Sequence, residues 1–294
     1  MLENTSVIEV QVGDIRFHAC EAGQGPLVLC LHGFPDHARS FRHQVEPLVE
    51  AGYRVVVPYM RGYAPTSAAP DGCYRVAALA RDVLGLIKAL GESRAVLFGH
   101  DWGAITSYAA AVLDPSAVSR LVTAAVPYGP AFMERFLTSY DQLQRSWYIY
   151  LFQQPIAELA VAHDNCEFIA RLWRDWSPTW EAPQEEVSAV CELLGRPEVL
   201  AAALGYYRAM FAPNEAYPEL AEDEARLDVT PIEVPTLYVH GADDGCMGAE
   251  MSEGMDVMFP AGLESHVLAG AGHFVHQEKP DEVNRLVLDF LARG

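Results

Sequence analysis

The sequence is short of basic residues and of long apolar runs, and each shortage excludes a class of protein. Twenty Lys and Arg stand against 40 Asp and Glu, which gives a formal net charge of −20. A chain this acidic repels nucleic acids and anionic lipids, so neither is an expected partner. No stretch approaches the ~20 consecutive apolar residues that a membrane-spanning helix needs, and no membrane contact is expected.

Paired cysteines are also absent. The six cysteines are scattered without a C-x-x-C pair: Cys20, Cys30, Cys73, Cys166, Cys191 and Cys246. This usage is typical of free thiols in a reducing compartment and argues against a disulfide framework or a zinc site. The N-terminus carries no basic segment followed by an apolar one, as a secretory signal would. We therefore expect a cytoplasmic protein without a metal.

Strands and helices alternate through the first part of the chain. Residues 7–12 and 15–20 alternate apolar and polar positions around Gly13-Asp14, which predicts a β-hairpin. Further strands are predicted at 27–31, 54–58, 95–98 and 121–126, with helices at 37–51 and 75–91. Such alternation predicts an α/β fold built on a parallel sheet with right-handed crossovers.

The alternation stops after Pro127. From 128 to about 220 only helical, aromatic-rich segments interrupted by prolines are predicted. Strand and helix return at 236–239, 265–268 and 281–292. The sequence, 51% hydrophobic, therefore predicts one large domain with an insertion: an α/β core of 1–127 and 221–294, and an all-helical cap of 128–220.

Asp101 lies at the sharpest predicted turn. A buried strand ends at Phe98 and a helical pattern begins at 104, which leaves almost no loop between them. Gly99 and Gly103 flank Asp101 at minus and plus two, where side chains would clash if the turn were strained. This is the G-x-S-x-G pattern of a nucleophile elbow, with Asp in place of Ser.

A carboxylate nucleophile favours attack on saturated carbon. Attack by Asp101 on an ester would give a mixed anhydride, which is less stable than the ester. Attack on an alkyl carbon gives an ordinary ester, which water can then hydrolyse. The expected substrates are therefore epoxides or carbon–halogen compounds. An ester hydrolase is disfavoured.

Four further residues complete a candidate site. Asp244 follows the strand ending at 239 and is the predicted acid, with Asp243 as runner-up. His273 follows the strand ending at 268, after Gly270 and Gly272, which let the chain fold back to present a side chain, and it is the predicted base. The backbone N–H groups of Phe34, in the turn after the third strand, and of Trp102 are the predicted oxyanion hole.

Four motifs in this order resemble the α/β-hydrolase-fold epoxide hydrolases over essentially the whole chain. They are HGFP at 32–35, GHDWG at 99–103, Gly-x-x-Asp at 241–244 and Gly-His-Phe at 272–274. The resemblance implies an eight-stranded, mostly parallel sheet, no cofactor and no metal. It implies a small-molecule epoxide and water as partners and leaves a homodimer open. It also implies pocket positions at His32, Pro35, Ile149 and Phe274.

Two cap tyrosines carry the resemblance to epoxide hydrolases in particular. The segment around 146–155 resembles the family's first tyrosine segment and assigns Tyr148, and the segment at 205–210 assigns Tyr207. A phenol with a pKa near ~10 is neutral at pH 7 and can protonate the oxygen of an opening epoxide. Tyr150 and Tyr206 are the fallback choices.

Dehalogenases share the four motifs and are the main alternative. Trp102 would serve them as a halide donor, but Phe34 stands where many haloalkane dehalogenases have Asn. Fluoroacetate dehalogenases carry Arg after the nucleophile and a His-Trp pair in the cap, where this chain has Trp102, Tyr148 and Ile149. A non-catalytic ligand-binding homologue is a third alternative.

Overall fold

A single mixed sheet forms the centre of the chain, for which a computed structural model describes residues 2–213 and 216–293. Its strands are β1 (Ser6–Val12), β2 (Ile15–Gly23), β3 (Leu27–Leu31), β4 (Arg54–Pro58), β5 (Ala95–His100), β6 (Val118–Ala124), β7 (Thr236–Gly241) and β8 (Leu263–Leu268). Their order across the sheet is β1-β2-β4-β3-β5-β6-β7-β8. Only the β1–β2 and β2–β4 pairs are antiparallel. The predicted fold class and hairpin are confirmed.

The middle of the sheet is covered on both faces, which explains why β3, β5 and β7 are buried along their whole length. In β3, Leu29 and Leu31 belong to one core cluster, whereas Val28 and Cys30 belong to another. Because successive side chains of a strand point to opposite faces, β3 contributes to the hydrophobic core on both sides of the sheet.

Helices flank the sheet and occupy the interval between β6 and β7. They are α1 (Val45–Glu50), α2 (Val76–Ala89), α3 (Trp102–Leu113), α4 (Pro130–Thr138), α5 (Tyr140–Arg145), α6 (Trp147–Phe152), α7 (Ala157–Trp176), α8 (Gln184–Leu194), α9 (Pro197–Phe211), α10 (Ala221–Glu224), α11 (Val275–Glu278) and α12 (Pro280–Leu291). α7 is interrupted by non-helical backbone at 163–166. No helix in the described ranges is both long and apolar enough to cross a membrane.

Two predicted elements need correction. The helix expected at 37–51 is split into a 3-10 turn, Ala38–Phe41, and α1. Pro47 has no N–H to bond a preceding carbonyl, so a helix cannot continue through it from 38. The strand expected at 121–126 starts at Val118 and ends at Ala124, because Ala125 adopts a positive φ of 69°.

The predicted insertion consists of helices. Within the described part of 128–220 no strand occurs, and α4 to α9 fill the segment. Prolines mark three helix starts: Pro130 and Pro197 are the first residues of α4 and α9, and Pro183 precedes α8. Proline suits these positions because the first helical N–H groups have no acceptor within the helix. The boundaries of a separate cap domain stay a prediction.

Candidate active site

The candidate nucleophile lies on a strained turn, as the sequence predicted. Asp101 has φ 52° and ψ −120°, between β5 and the first residue of α3. A Cβ added to Gly103 would lie 1.8 Å from the Leu31 carbonyl oxygen, and one on Gly99 would lie 2.2 Å from the Gly103 oxygen. Only glycine fits at these two positions, since β3, β5 and α3 approach each other at van der Waals distance.

Residues after β5, β7 and β8 meet at the carboxyl edge of the sheet. His273 Nε2 lies 3.6 Å from Asp101 Oδ2, and its Nδ1 lies 2.9 Å from Asp244 Oδ2. The other carboxylate oxygen of Asp244 accepts hydrogen bonds from the N–H groups of Cys246 and Met247, at 2.7 and 2.8 Å. The runner-up Asp243 is exposed. The structure thus brings Asp101, His273 and Asp244 into one chain of contacts.

Electrostatic interactions keep Asp244 deprotonated and His273 protonated. Burial alone would raise the pKa of Asp244, but the charge of His273 and hydrogen bonds with His240 and His273 hold it well below its usual range. Burial alone would lower the pKa of His273, but interactions with Cys246, Asp244 and Asp101 hold it well above its usual range. The resting site therefore favours an imidazolium between two carboxylates.

One predicted oxyanion-hole donor already contacts the nucleophile. The Phe34 N–H donates to Asp101 Oδ1 at 2.7 Å. Trp102 is the first residue of α3, and N–H groups in a helix's first turn have no intrahelical acceptor. The helix N-terminus also stabilises a negative charge on Asp101.

Both predicted tyrosines line one cavity with Asp101. The Tyr148 hydroxyl lies 3.4 Å from Cys246 Sγ, and within the described ranges the Tyr207 hydroxyl is buried without a hydrogen-bond partner. The two rings meet edge to face, with centroids 5.8 Å apart. Burial raises the pKa of each phenol well above 10, so both carry their protons at neutral pH.

The fallback tyrosines have other surroundings. Tyr206 also lines the cavity, but its hydroxyl donates to the Arg61 carbonyl at 2.8 Å. Tyr150 is 41% exposed and packs against Phe211.

The cavity is mostly apolar and has a volume of about 200 Å³. Of the four predicted pocket positions only Ile149 lines it, which corrects the other three. His32 Nε2 accepts from the Met60 N–H at 3.0 Å, and the Pro35 carbonyl accepts from the Trp173 indole at 2.8 Å. Phe274 stacks on Trp173 instead, with centroids 4.3 Å apart.

Cys246 is a cavity residue that sequence reasoning did not find. Its thiol contacts Tyr148, and one potential ligand atom each of Cys246, Asp244 and His273 lies within 4.8 Å of the others. Its position two residues after Asp244, on the same loop, was the available signal. All six cysteines are free thiols.

Comparisons with known proteins identify the family to which this fold belongs. The alpha/beta hydrolase fold profile matches residues 26–280. Epoxide hydrolase 3 of Xenopus tropicalis is 33% identical over 97% of this chain and 77% of its own length.

Solved structures give the same result. The epoxide hydrolase of Bacillus megaterium, solved with an inhibitor, superposes with a TM-score of 0.84 at 28% identity, covering 97% of this chain and 100% of that one. Epoxide Hydrolase A of Mycobacterium thermoresistibile gives 0.82 at 30% identity, covering 98% of each chain. The chain belongs to the alpha/beta hydrolase fold family, and these relatives within it are epoxide hydrolases.

Proposed function

We propose that this chain hydrolyses epoxides to vicinal diols, with a small-molecule epoxide and water as its substrates. One observation carries the proposal: two buried, protonated phenols, Tyr148 and Tyr207, share a cavity with the carboxylate of Asp101. Two hydroxyl donors suit a single acceptor oxygen that gains negative charge, as the epoxide oxygen does when the ring opens. The relatives named above carry the same activity in their names.

In the first step Asp101 captures the alkyl group. Its Oδ1 is held by the Phe34 N–H, so Oδ2 is the freer oxygen and attacks a ring carbon. The bond from that carbon to the epoxide oxygen breaks as the new carbon–Oδ2 bond forms. A proton from Tyr148 or Tyr207 neutralises the alkoxide, which leaves a hydroxyalkyl ester on Asp101.

In the second step water hydrolyses that ester. Esterification removes the negative charge that faces His273 Nε2 at 3.6 Å, so the pKa of His273 falls. The imidazolium then loses its proton through solvent to the tyrosinate formed in the first step, and the neutral ring becomes a base. His273, oriented by Asp244, takes a proton from water, whose oxygen attacks the Asp101 carbonyl carbon. The resulting oxyanion on Oδ1 is stabilised by the Phe34 and Trp102 amides. Collapse breaks the bond from the carbonyl carbon to Oδ2, and the departing diol oxygen takes the proton that His273 accepted from water. The carboxylic acid left on Asp101 then gives its remaining proton to His273, which restores the resting ion pair, and the oxygen of water stays in Asp101.

A single turnover in heavy-oxygen water tests the nucleophile. With enzyme in excess over styrene oxide, we expect the label in the peptide that contains Asp101 and an unlabelled diol, since the diol receives the original Oδ2. Asp101→Asn should abolish diol formation, whereas the exposed control Asp243→Asn should retain it. Label in the diol and none in the protein would contradict a covalent ester.

Dehalogenation is tested with the same preparation. A haloalkane of the same carbon skeleton should release halide far more slowly than the epoxide is opened, because two phenols match an oxygen acceptor. If halide is released faster than the epoxide is opened, the protein is a dehalogenase that uses Asp101 as its nucleophile.

A further inference from the structure

A second group of buried titratable side chains lies behind His273. It consists of Asp36, on the loop after β3, His100, at the end of β5, and His276, in α11. One potential ligand atom of each lies within 4.8 Å of the others, and none of the three residues lines the cavity. Asp36 is 2% exposed and both histidines are 0% exposed. The proposed epoxide chemistry does not use them.

Hydrogen bonding fixes the tautomer of His100. Its Nε2 lies 2.9 Å from the backbone carbonyl oxygen of His273. A carbonyl oxygen only accepts, so Nε2 carries the proton and Nδ1 has a free lone pair. His276 Nε2 is likewise engaged, at 2.6 Å from Ser40 Oγ.

One ring nitrogen of each histidine has no assigned contact within the described part of the chain. In the described ranges, Nδ1 of His100 and Nδ1 of His276 are buried without a hydrogen-bond partner. The two rings are neighbours, with centroids 4.4 Å apart. Buried polar atoms in folded proteins nearly always have a partner, so these two nitrogens call for an explanation, and a bound ion is one that the neighbouring Asp36 carboxylate also fits.

Asp36 is held in the way that ligating carboxylates are held. Its Oδ1 accepts from the His37 N–H at 2.8 Å, and its Oδ2 accepts from Gln277 Nε2 at 2.7 Å. The Ser40 hydroxyl also interacts with the carboxyl group, so at least one carboxylate oxygen keeps a further lone pair. The positive charge of the nearby Arg42 is compensated by Glu186, since Arg42 Nε lies 3.6 Å from Glu186 Oε1. Outer hydrogen bonds of this kind fix the orientation of first ligands around metal ions.

Two imidazole nitrogens and a carboxylate oxygen form a donor set that suits zinc. We propose that Asp36, His100 and His276 form a binding site for a divalent transition metal of the zinc class, with a water molecule as the fourth ligand. The ion joins the loop after β3, the end of β5 and α11. Through the His100 Nε2–H it also supports the backbone of His273, so its role is structural.

Metal titration of the whole protein tests this site. After chelation and removal of the chelator, zinc should bind in about one equivalent per chain by elemental mass spectrometry. At a hundredfold excess over Kd it should raise Tm on the order of 5 °C. His276→Gln and Asp36→Asn, which retain polar atoms of similar shape, should each abolish the binding and the Tm shift. Circular dichroism of each variant establishes that it folds.

Two controls separate this site from others. His266→Gln removes a partly exposed histidine that pairs with Glu264 and should leave zinc binding unchanged. Cys246→Ser removes the thiol from the second possible donor group, at Asp244 and His273, and should also leave it unchanged. Absence of bound zinc in the parent protein, or binding lost only in Cys246→Ser, would overturn the proposal. Because binding and Tm are read without substrate, the result does not depend on epoxide turnover.

Discussion

The two phenols that face Asp101 differ in what holds their hydroxyl groups. Tyr148 contacts the Cys246 thiol, whereas in the described chain the Tyr207 hydroxyl is buried with no hydrogen bond of normal geometry and interacts only weakly with the Trp102 indole. An unpaired buried hydroxyl costs folding free energy and is retained where a ligand uses it. Tyr207 is therefore the better candidate for the main contact with the epoxide oxygen.

Replacing Tyr207 should separate activity from stability. Tyr207→Phe is expected to lower kcat by roughly 10²-fold, because a general acid contributes on that order, while leaving Tm unchanged or higher. Tyr206→Phe is the matched comparison, since its hydroxyl bonds the Arg61 carbonyl. It should lower the free energy of unfolding by about 1 kcal/mol and retain most activity. Steady-state kinetics measures kcat, and urea unfolding measures the free energy of unfolding. If Tyr206→Phe loses activity and Tyr207→Phe loses only stability, the roles assigned to the two tyrosines are reversed.

The state of His273 sets the pH dependence of ester hydrolysis. In the resting enzyme its neighbours raise its pKa, and esterification of Asp101 removes one of them. Hydrolysis needs the neutral ring, so it slows as pH falls through the pKa of the esterified form. Intact-mass measurement during turnover should therefore show more ester at low pH. His273→Gln should accumulate ester at every pH, and accumulation confined to high pH would contradict the assignment.

At the scale of elements, the elbow depends on three segments packed without space for a methyl group. β3, β5 and α3 meet at Gly99 and Gly103, and the contact holds Asp101 at a positive φ. The strain is maintained by the surrounding parallel strands and not by the turn itself. The nucleophile is therefore placed by packing.

Gly103→Ala should destabilise the fold through this contact. A Cβ 1.8 Å from the Leu31 carbonyl forces β3 and α3 apart, and a loss of roughly 4 kcal/mol or more is expected. The control is Gly13→Ala in the β1–β2 turn, where φ is +52° and nothing lies within 4 Å of the added Cβ. That change should cost about 1 kcal/mol from the backbone conformation alone. If urea unfolding shows the same loss of stability for Gly103→Ala and Gly13→Ala, the backbone shifts easily to accommodate a Cβ at residue 103.

At the scale of the whole molecule, the charge of −20 repels itself across the surface. Salt screens this repulsion: the Debye length falls from roughly 30 Å at about 0.01 M to roughly 3 Å at about 1 M. We expect Tm in NaCl to rise by about 3 °C or more over that range, because the compact state gains more from screening than the unfolded chain. KCl should give the same shift, and a falling Tm would indicate that exposed ion pairs outweigh the repulsion.

The sequence by itself determined the order of strands and helices, the elbow at Asp101 and the positions of Asp244 and His273. These follow from local periodicity, glycine spacing and the rule that parallel strands bring their carboxyl ends to one edge. The limits of the elements at 37–51 and 121–126 were wrong, because a proline and a positive φ decided them.

Only the tertiary structure decided which side chains share a cavity. In the structure Tyr148 lies beside Cys246, and the Tyr206 hydroxyl donates to the Arg61 carbonyl. His32 and Phe274 are not among the residues that line the cavity. The tertiary structure also gathers Asp36, His100 and His276 from three segments. The partners in such contacts can lie far apart in sequence: 236 residues separate Ser40 and His276, which share a hydrogen bond. Periodicity within one element specifies the buried face, but not the residue from a distant segment that packs against it.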